Sequence, residues 1–210
     1  MKSLPNLLTA ARLMLCLLMF AALMLVAGAI PGVERAPVSM GNQLVAFAFV
    51  AFVVAAVTDF LDGWLARKYG VESTLGAILD PIADKILVCG AIVGLLALGA
   101  RDLALPGGLI LFREFSVSAL REVLAPRGLK LPVTFLAKTK TTVQLVALAA
   151  YLGLPLLAGL IMRSGGVEAI ATLRNVMTTV LVLLWIAAAI TVWTGLEYAL
   201  AARRALAAKA

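Results

Sequence analysis

Long apolar runs dominate this sequence and leave few folds open to it. A helix that crosses a bilayer needs about 20 predominantly apolar residues. Six segments meet this requirement, at about 5–28, 42–68, 76–100, 106–125, 135–161 and 171–201. Backbone polar groups in lipid must be satisfied within the spanning structure, which favours helices here. We therefore expect an all-α polytopic membrane protein, a six-transmembrane-helix bundle that forms one domain over 1–210.

The composition agrees with this class and excludes several kinds of chemistry. Hydrophobic residues make up 63% of the chain and charged residues 14%, whereas soluble domains have about 45–50% and about 25%. The net charge of +7 could indicate nucleic-acid binding. The cations lie mostly between the apolar runs, however, which favours anionic membrane lipids and no nucleic acid. The chain has no histidine, which excludes histidine-based catalysis, and its 2 cysteines form no redox or metal motif.

The distribution of cations predicts how the chain is oriented in the membrane. The connections near 29–41, 101–106 and 162–170 carry few cations, whereas the opposite side carries many. The positive-inside rule then places both termini in the cytoplasm. We expect a multi-pass protein of the bacterial inner membrane whose active site also faces the cytoplasm. The first apolar run also fits a cleaved signal peptide, because Lys2 precedes it. The polar stripe of Asn6, Thr9 and Arg12 favours a retained helix instead.

Four aspartates lie near the predicted cytoplasmic ends of the second and third spans. Asp59 and Asp62 are three residues apart, and Asp80 and Asp84 are four residues apart. Both spacings place two carboxylates on one face of a helix. The connection between the spans is short, so the helices are antiparallel neighbours and the two pairs can meet at one depth.

Carboxylates gathered in a membrane protein repel one another unless cations neutralise them. Oxygen ligands of this kind suit Mg²⁺ or Mn²⁺, and we expect two ions, an arrangement that suits phosphoryl chemistry. The alternative is a set of surface carboxylates at two helix ends, paired with Arg67 and Lys85. A cation transporter would also hold acids, but its site is expected at the bilayer midplane.

Written with its gaps, the segment is D59-x2-D62-G63-x2-A66-R67-x8-G76-x3-D80-x3-D84. This pattern resembles the signature of the CDP-alcohol phosphatidyltransferase family, whose members have six membrane helices. The resemblance implies metal binding by Asp59, Asp62, Asp80 and Asp84, with Asp84 also acting as the general base on the acceptor hydroxyl. It implies that the CDP-linked lipid is bound by Asn6, Thr9, Asp59, Asp62, Gly63, Ala66, Arg67, Thr74 and Gly76.

A second set of charged residues indicates which kind of alcohol accepts the phosphatidyl group. The pairs Arg113-Glu114 and Arg121-Glu122 recur eight residues apart, a little over two helical turns, and so share a face. Together with Lys138 and Lys140 at the start of the fifth span, Arg113 and Arg121 suit an acceptor that carries its own phosphate. The alternative is that these cations anchor the helices at the cytoplasmic membrane surface and form salt bridges between packed helices.

The stretch 113–144 resembles the phosphatidylglycerophosphate synthases of that family, whose acceptor is sn-glycerol 3-phosphate. The resemblance implies transfer of the phosphatidyl group of CDP-diacylglycerol to glycerol 3-phosphate, giving phosphatidylglycerophosphate and CMP, by a homodimeric enzyme. Other acceptors remain alternatives, namely inositol phosphate, serine or phosphatidylglycerol. Direct transfer and a covalent enzyme intermediate are both open, and a purely structural subunit would leave the four aspartates unexplained.

Overall fold

The described part of the chain consists of helices that are connected by turns and loops. A computed structural model describes residues 3–69, 74–128, 135–163 and 165–207, without the side chains of 3–6, 61–69, 74–78, 127 and 135–138. Two short 3-10 turns, Arg101–Leu103 and Ala125–Arg127, flank the fourth helix. The long helices are α1 Ser3–Ala27, α2 Val38–Tyr69, α3 Thr74–Ala97, α4 Ala104–Leu124, α5 Phe135–Arg163 and α6 Gly166–Ala207. The expected all-α class is confirmed.

Each of these helices overlaps one of the six predicted spans, with different ends. The largest differences are in α6, which runs from Gly166 to Ala207 rather than over 171–201. Polar residues such as Glu168 and Arg203 continue the helix outside the hydrocarbon, where apolar length gives no signal. In the described residues, five helical segments are long and apolar enough to cross a membrane: Leu7–Ala27, Val38–Phe60, Arg101–Leu124, Thr139–Arg163 and Gly166–Ala207. The remaining helix, α3, carries Asp80, Asp84 and Lys85 in its first half. That the whole chain is one domain stays a prediction.

Helix α1 lies against both helices that carry the predicted metal ligands. It packs along α2 and α3, while α2 also contacts α5, and α6 contacts both α4 and α5. The buried core runs through all of these contacts, with side chains that include Met19, Leu23, Phe52, Ile92, Leu148 and Leu184. Because α1 is wedged between α2 and α3, polar side chains on its inner face reach acids on both.

A glycine allows α1 and α3 to approach closely in the middle of this core. A Cβ atom added at Gly94 of α3 would lie 2.5 Å from Leu23 Cδ1 and 2.9 Å from Leu23 Cβ. Both separations are shorter than carbon atoms tolerate, and the second involves an atom next to the α1 backbone. Small residues commonly serve this purpose where membrane helices meet.

We expect Gly94→Ala to destabilise the bundle, because α1 and α3 must separate to admit the methyl group. Overpacking of this kind costs about 1–3 kcal/mol, which a thermal unfolding curve in detergent would resolve. Gly159→Ala is the matched control, since a Cβ there meets nothing within 4 Å. Equal unfolding temperatures for the two variants would contradict the close approach of α1 and α3.

Candidate active site

The acidic side chains of α2 and α3 meet around one guanidinium group from α1. Arg12 Nη1 lies 2.5 Å from Asp59 Oδ1, 3.7 Å from Asp84 Oδ1 and 3.9 Å from Asp80 Oδ1. The Arg12 side chain is 1% exposed, whereas those of Asp59, Asp80 and Asp84 are 36%, 46% and 52% exposed. Three partly exposed carboxylates therefore share one buried cation. We call Asp59, Asp80 and Asp84, together with the Arg12 that they share, the acidic cluster.

Helix α1 contributes a second polar contact to the acidic cluster. Thr9 Oγ1 donates a hydrogen bond to Asp80 Oδ1 at 2.9 Å, and Thr9 is buried. Thr9 and Arg12 are three residues apart on a helix, so they project from the same face. The sequence predicted nucleotide binding for Thr9, and that role stays a prediction. The sequence indicated Arg12 only as part of a polar stripe, and the structure adds it to the site.

For several predicted site residues the structure describes the helical backbone only. They belong to the ends of the first, second, third and fifth helices, and their predicted roles stand as predictions. These residues are Asn6, Asp62, Gly63, Ala66, Arg67, Thr74, Gly76 and Lys138.

The donor chemistry of the acidic cluster fits a divalent cation. Among the side chains that the structure describes, no three acidic groups are arranged to hold a metal ion by themselves. The oxygens of Asp59, Asp80 and Asp84 nevertheless converge on a single cationic nitrogen, and one guanidinium balances only one of three carboxylates. Hard oxygen donors with excess negative charge are the ligands that Mg²⁺ and Mn²⁺ prefer.

A basic pocket of about 210 Å³ adjoins the acidic cluster and shares Asp84 with it. Helices α3, α4 and α5 line this pocket, which brings together three of the four residues predicted to bind the acceptor phosphate. Its charged and polar lining residues are Asp84, Lys85, Arg113, Glu114, Ser118, Arg121, Lys140, Thr141 and Gln144. The pocket is smaller than the roughly 300–1,000 Å³ of drug-sized ligand sites, and this size suits a small metabolite.

Glu114 links two of the cations in the basic pocket. Lys140 Nζ donates a short hydrogen bond to Glu114 Oε1, and Arg113 Nη1 lies 3.6 Å from the same oxygen. Within the described residues, Arg113 Nε and Gln144 Oε1 are buried without a hydrogen-bond partner. Buried polar atoms rarely stay unpaired, so the pocket has both surplus positive charge and free hydrogen-bonding capacity for a polar anion.

Together, a multi-pass helical bundle and an acidic cluster beside a basic pocket define a membrane enzyme that acts on phosphate-bearing substrates. The family model described as CDP-alcohol phosphatidyltransferase matches residues 2–193. The chain belongs to this family, and the expected transferase class is confirmed. Members of the family use divalent metal ions, which agrees with the donor set of the acidic cluster.

Three curated relatives share one enzyme name. The chain is similar to proteins named CDP-diacylglycerol–glycerol-3-phosphate 3-phosphatidyltransferase in three bacteria. The Cereibacter sphaeroides protein is 42% identical, with 72% of this chain and 79% of the relative covered. The Rickettsia felis protein is 39% identical, with 94% and 93% covered. The Escherichia coli K12 protein is 37% identical, with 74% and 78% covered.

Proposed function

We propose that this enzyme transfers the phosphatidyl group of CDP-diacylglycerol to sn-glycerol 3-phosphate, releasing CMP and forming phosphatidylglycerophosphate. The observation that carries the proposal is the position of Asp84, which belongs to both the acidic cluster and the basic pocket. An acceptor with a hydroxyl at one end and a phosphate at the other matches this arrangement. The names of the relatives, which specify glycerol 3-phosphate, support the same acceptor.

The basic pocket binds the acceptor. Arg113, Arg121 and Lys140 bind its phosphate by charge-assisted hydrogen bonds, and Lys138 adds a fourth cation at the start of α5. The buried Gln144 Oε1 accepts a hydrogen bond from an acceptor hydroxyl. Asp84 takes the proton of the attacking hydroxyl, a role that needs a positioned carboxylate within hydrogen-bond reach.

The acidic cluster binds CDP-diacylglycerol, the substrate that donates the phosphatidyl group. Asp59, Asp62, Asp80 and Asp84 would hold two Mg²⁺ or Mn²⁺ ions, and bound metal supplies charge neutralisation at the diphosphate and at the leaving CMP. Arg12 and Thr9 of α1 hold the carboxylates of Asp59 and Asp80 in place. The remaining predicted contacts to the CDP-linked lipid are Asn6, Gly63, Ala66, Arg67, Thr74 and Gly76.

In the proposed reaction a new bond forms between the acceptor oxygen and the lipid-side phosphorus. The bond from that phosphorus to the CMP oxygen breaks, and the acceptor proton passes to Asp84. Positioning and electrostatics supply most of the rate enhancement, as in other phosphoryl transfers. The site and both termini face the cytoplasm of a bacterial inner membrane, in agreement with the cation distribution, and the enzyme is a homodimer.

An acceptor panel tests the proposed function. Purified enzyme in detergent is given CDP-diacylglycerol, Mg²⁺ and one alcohol at a time: glycerol 3-phosphate, inositol phosphate, serine or phosphatidylglycerol. We expect CMP release only with glycerol 3-phosphate, and loss of release on chelation followed by recovery with Mg²⁺ or Mn²⁺. Release that does not depend on glycerol 3-phosphate would overturn the assignment of the acceptor.

We expect Arg113→Gln to raise the KM for glycerol 3-phosphate and to leave the KM for CDP-diacylglycerol unchanged. Hydrogen bonds to charged groups contribute about 1.5–3 kcal/mol, so the rise is roughly 10- to 100-fold. Arg101→Gln, at the exposed turn before α4, is the matched control and should have wild-type constants. Equal rises in both KM values would mean that Arg113 supports the fold rather than the acceptor.

A further inference from the structure

A tyrosine of α6 contacts two of the arginines of the basic pocket from outside it. Tyr198 is 3% exposed, and the lining of the pocket comes from α3, α4 and α5. The guanidinium carbons of Arg113 and Arg121 lie 5.5 Å and 5.2 Å from the centre of the Tyr198 ring. Arg121 Nη2 also donates a hydrogen bond to Tyr198 Oη at 3.1 Å. One aromatic side chain thus contacts both guanidinium groups.

Two like charges on long side chains do not stay together without support. Each arginine has about 2 kcal/mol of rotamer entropy to lose on being fixed, and the two guanidinium groups repel each other. Glu114 contacts Arg113 and Lys140, whereas the described hydrogen bond of Arg121 is to Tyr198. The negative face of an aromatic ring attracts cations within about 6 Å of its centre, so the Tyr198 ring offsets the repulsion between Arg113 and Arg121.

A glycine on the same face of α6 leaves room for the side chain of Arg113. Gly195 lies three residues before Tyr198, and a Cβ there would lie 2.8 Å from Arg113 Cγ. Because Cγ is near the backbone end of the arginine side chain, that contact cannot be relieved by moving the guanidinium alone. Any larger residue at position 195 would therefore displace Arg113 from its present position.

We propose that Tyr198 is a positioning residue for the acceptor phosphate, and that Gly195 leaves the space that Arg113 occupies. Tyr198 holds Arg113 and Arg121 at a fixed separation, so that both guanidinium groups and Lys140 are ready to bind one phosphate. Preorganised cations lose less entropy on binding. The inference rests on the proposed role of the basic pocket and extends it to α6, which the pocket lining does not include.

The expected signature is a selective effect on acceptor binding. Tyr198→Leu removes both the ring and the hydroxyl, and we expect the KM for glycerol 3-phosphate to rise about tenfold. The KM for CDP-diacylglycerol and kcat at saturating acceptor should stay within about twofold of wild type. Tyr198→Phe keeps the ring and loses only the hydrogen bond to Arg121, so it should recover most of the affinity for glycerol 3-phosphate.

A second variant tests the same inference without touching the tyrosine. Gly195→Ala should raise the KM for glycerol 3-phosphate, because the added methyl group displaces Arg113. Gly108→Ala on α4 is the matched control, since a Cβ there meets nothing within 4 Å, and it should have wild-type constants. Unfolding temperatures of all variants in detergent separate loss of fold from loss of acceptor binding.

The outcomes distinguish this inference from the proposed function. If Arg113→Gln leaves the KM for glycerol 3-phosphate unchanged, the proposed acceptor site is wrong and the role of Tyr198 is lost with it. If Arg113→Gln raises that KM but Tyr198→Leu and Gly195→Ala do not, only the positioning role is wrong. Equal changes in the KM values of both substrates, or no recovery in Tyr198→Phe, would also overturn the positioning role.

Discussion

Asp84→Asn is expected to lower the rate of CMP release by at least about a hundredfold, since a positioned general base contributes roughly 10²–10⁴-fold. Asparagine preserves the size of the side chain, but it neither accepts the proton of the acceptor hydroxyl nor brings negative charge to a metal ion. Asp84 belongs to both the acidic cluster and the basic pocket, so the substitution tests the proposed proton transfer and the proposed metal binding together. Single-turnover release of CMP measures the chemical step directly.

Asp102→Asn is the matched control for this substitution. Asp102 lies in the turn before α4 and accepts a hydrogen bond from Tyr151 Oη at 2.5 Å, away from the residues of the proposed site. The same chemical change there should leave CMP release within about twofold of wild type, because the amide oxygen of asparagine still accepts the hydrogen bond from Tyr151. A wild-type rate in Asp84→Asn would remove Asp84 from the reaction and with it the link between the two parts of the site.

The long helices of the described residues could be predicted because the membrane imposes one strong rule, a minimum apolar length, which five of these helices meet and α3 does not. That rule says nothing about polar helical turns beyond the hydrocarbon, which is why α6 extends past both predicted ends. It also says nothing about which helices touch. The position of α1 between the two acid-bearing helices depends on contacts such as Leu23 against Gly94, and a residue pair so distant in sequence has no local pattern.

The residues of the site also differ in how far the sequence could predict them. The spacing of Asp80 and Asp84 is a local property of one helix, and it predicted their shared face. The partnership of Arg12 with Asp59 spans 47 positions, so the sequence offered only the polar stripe of α1 as a hint. Tyr198 gave less signal still, because an aromatic residue near the end of a membrane helix is common at the bilayer interface.

Arg12→Met is expected to make the stability of the enzyme depend on divalent metal. The substitution removes the buried cation that faces Asp59, Asp80 and Asp84, and with it the attraction that offsets their mutual repulsion. Removing one partner of a buried ion pair costs about 3–5 kcal/mol, and the partial exposure of the three aspartates places the cost here at the lower end of that range. The unfolding temperature without metal should fall accordingly.

Added Mg²⁺ should then raise the unfolding temperature of Arg12→Met more than that of wild type. A ligand that binds only the folded state stabilises it according to its concentration and affinity, and the affinity of the carboxylates for a cation increases when the competing guanidinium is absent. Arg163→Met, at the exposed end of α5, controls for the loss of one arginine and should respond to Mg²⁺ as wild type does. Equal responses in Arg12→Met and wild type would mean that the carboxylates facing Arg12 do not bind the ion, and the metal site would then have to be built without them.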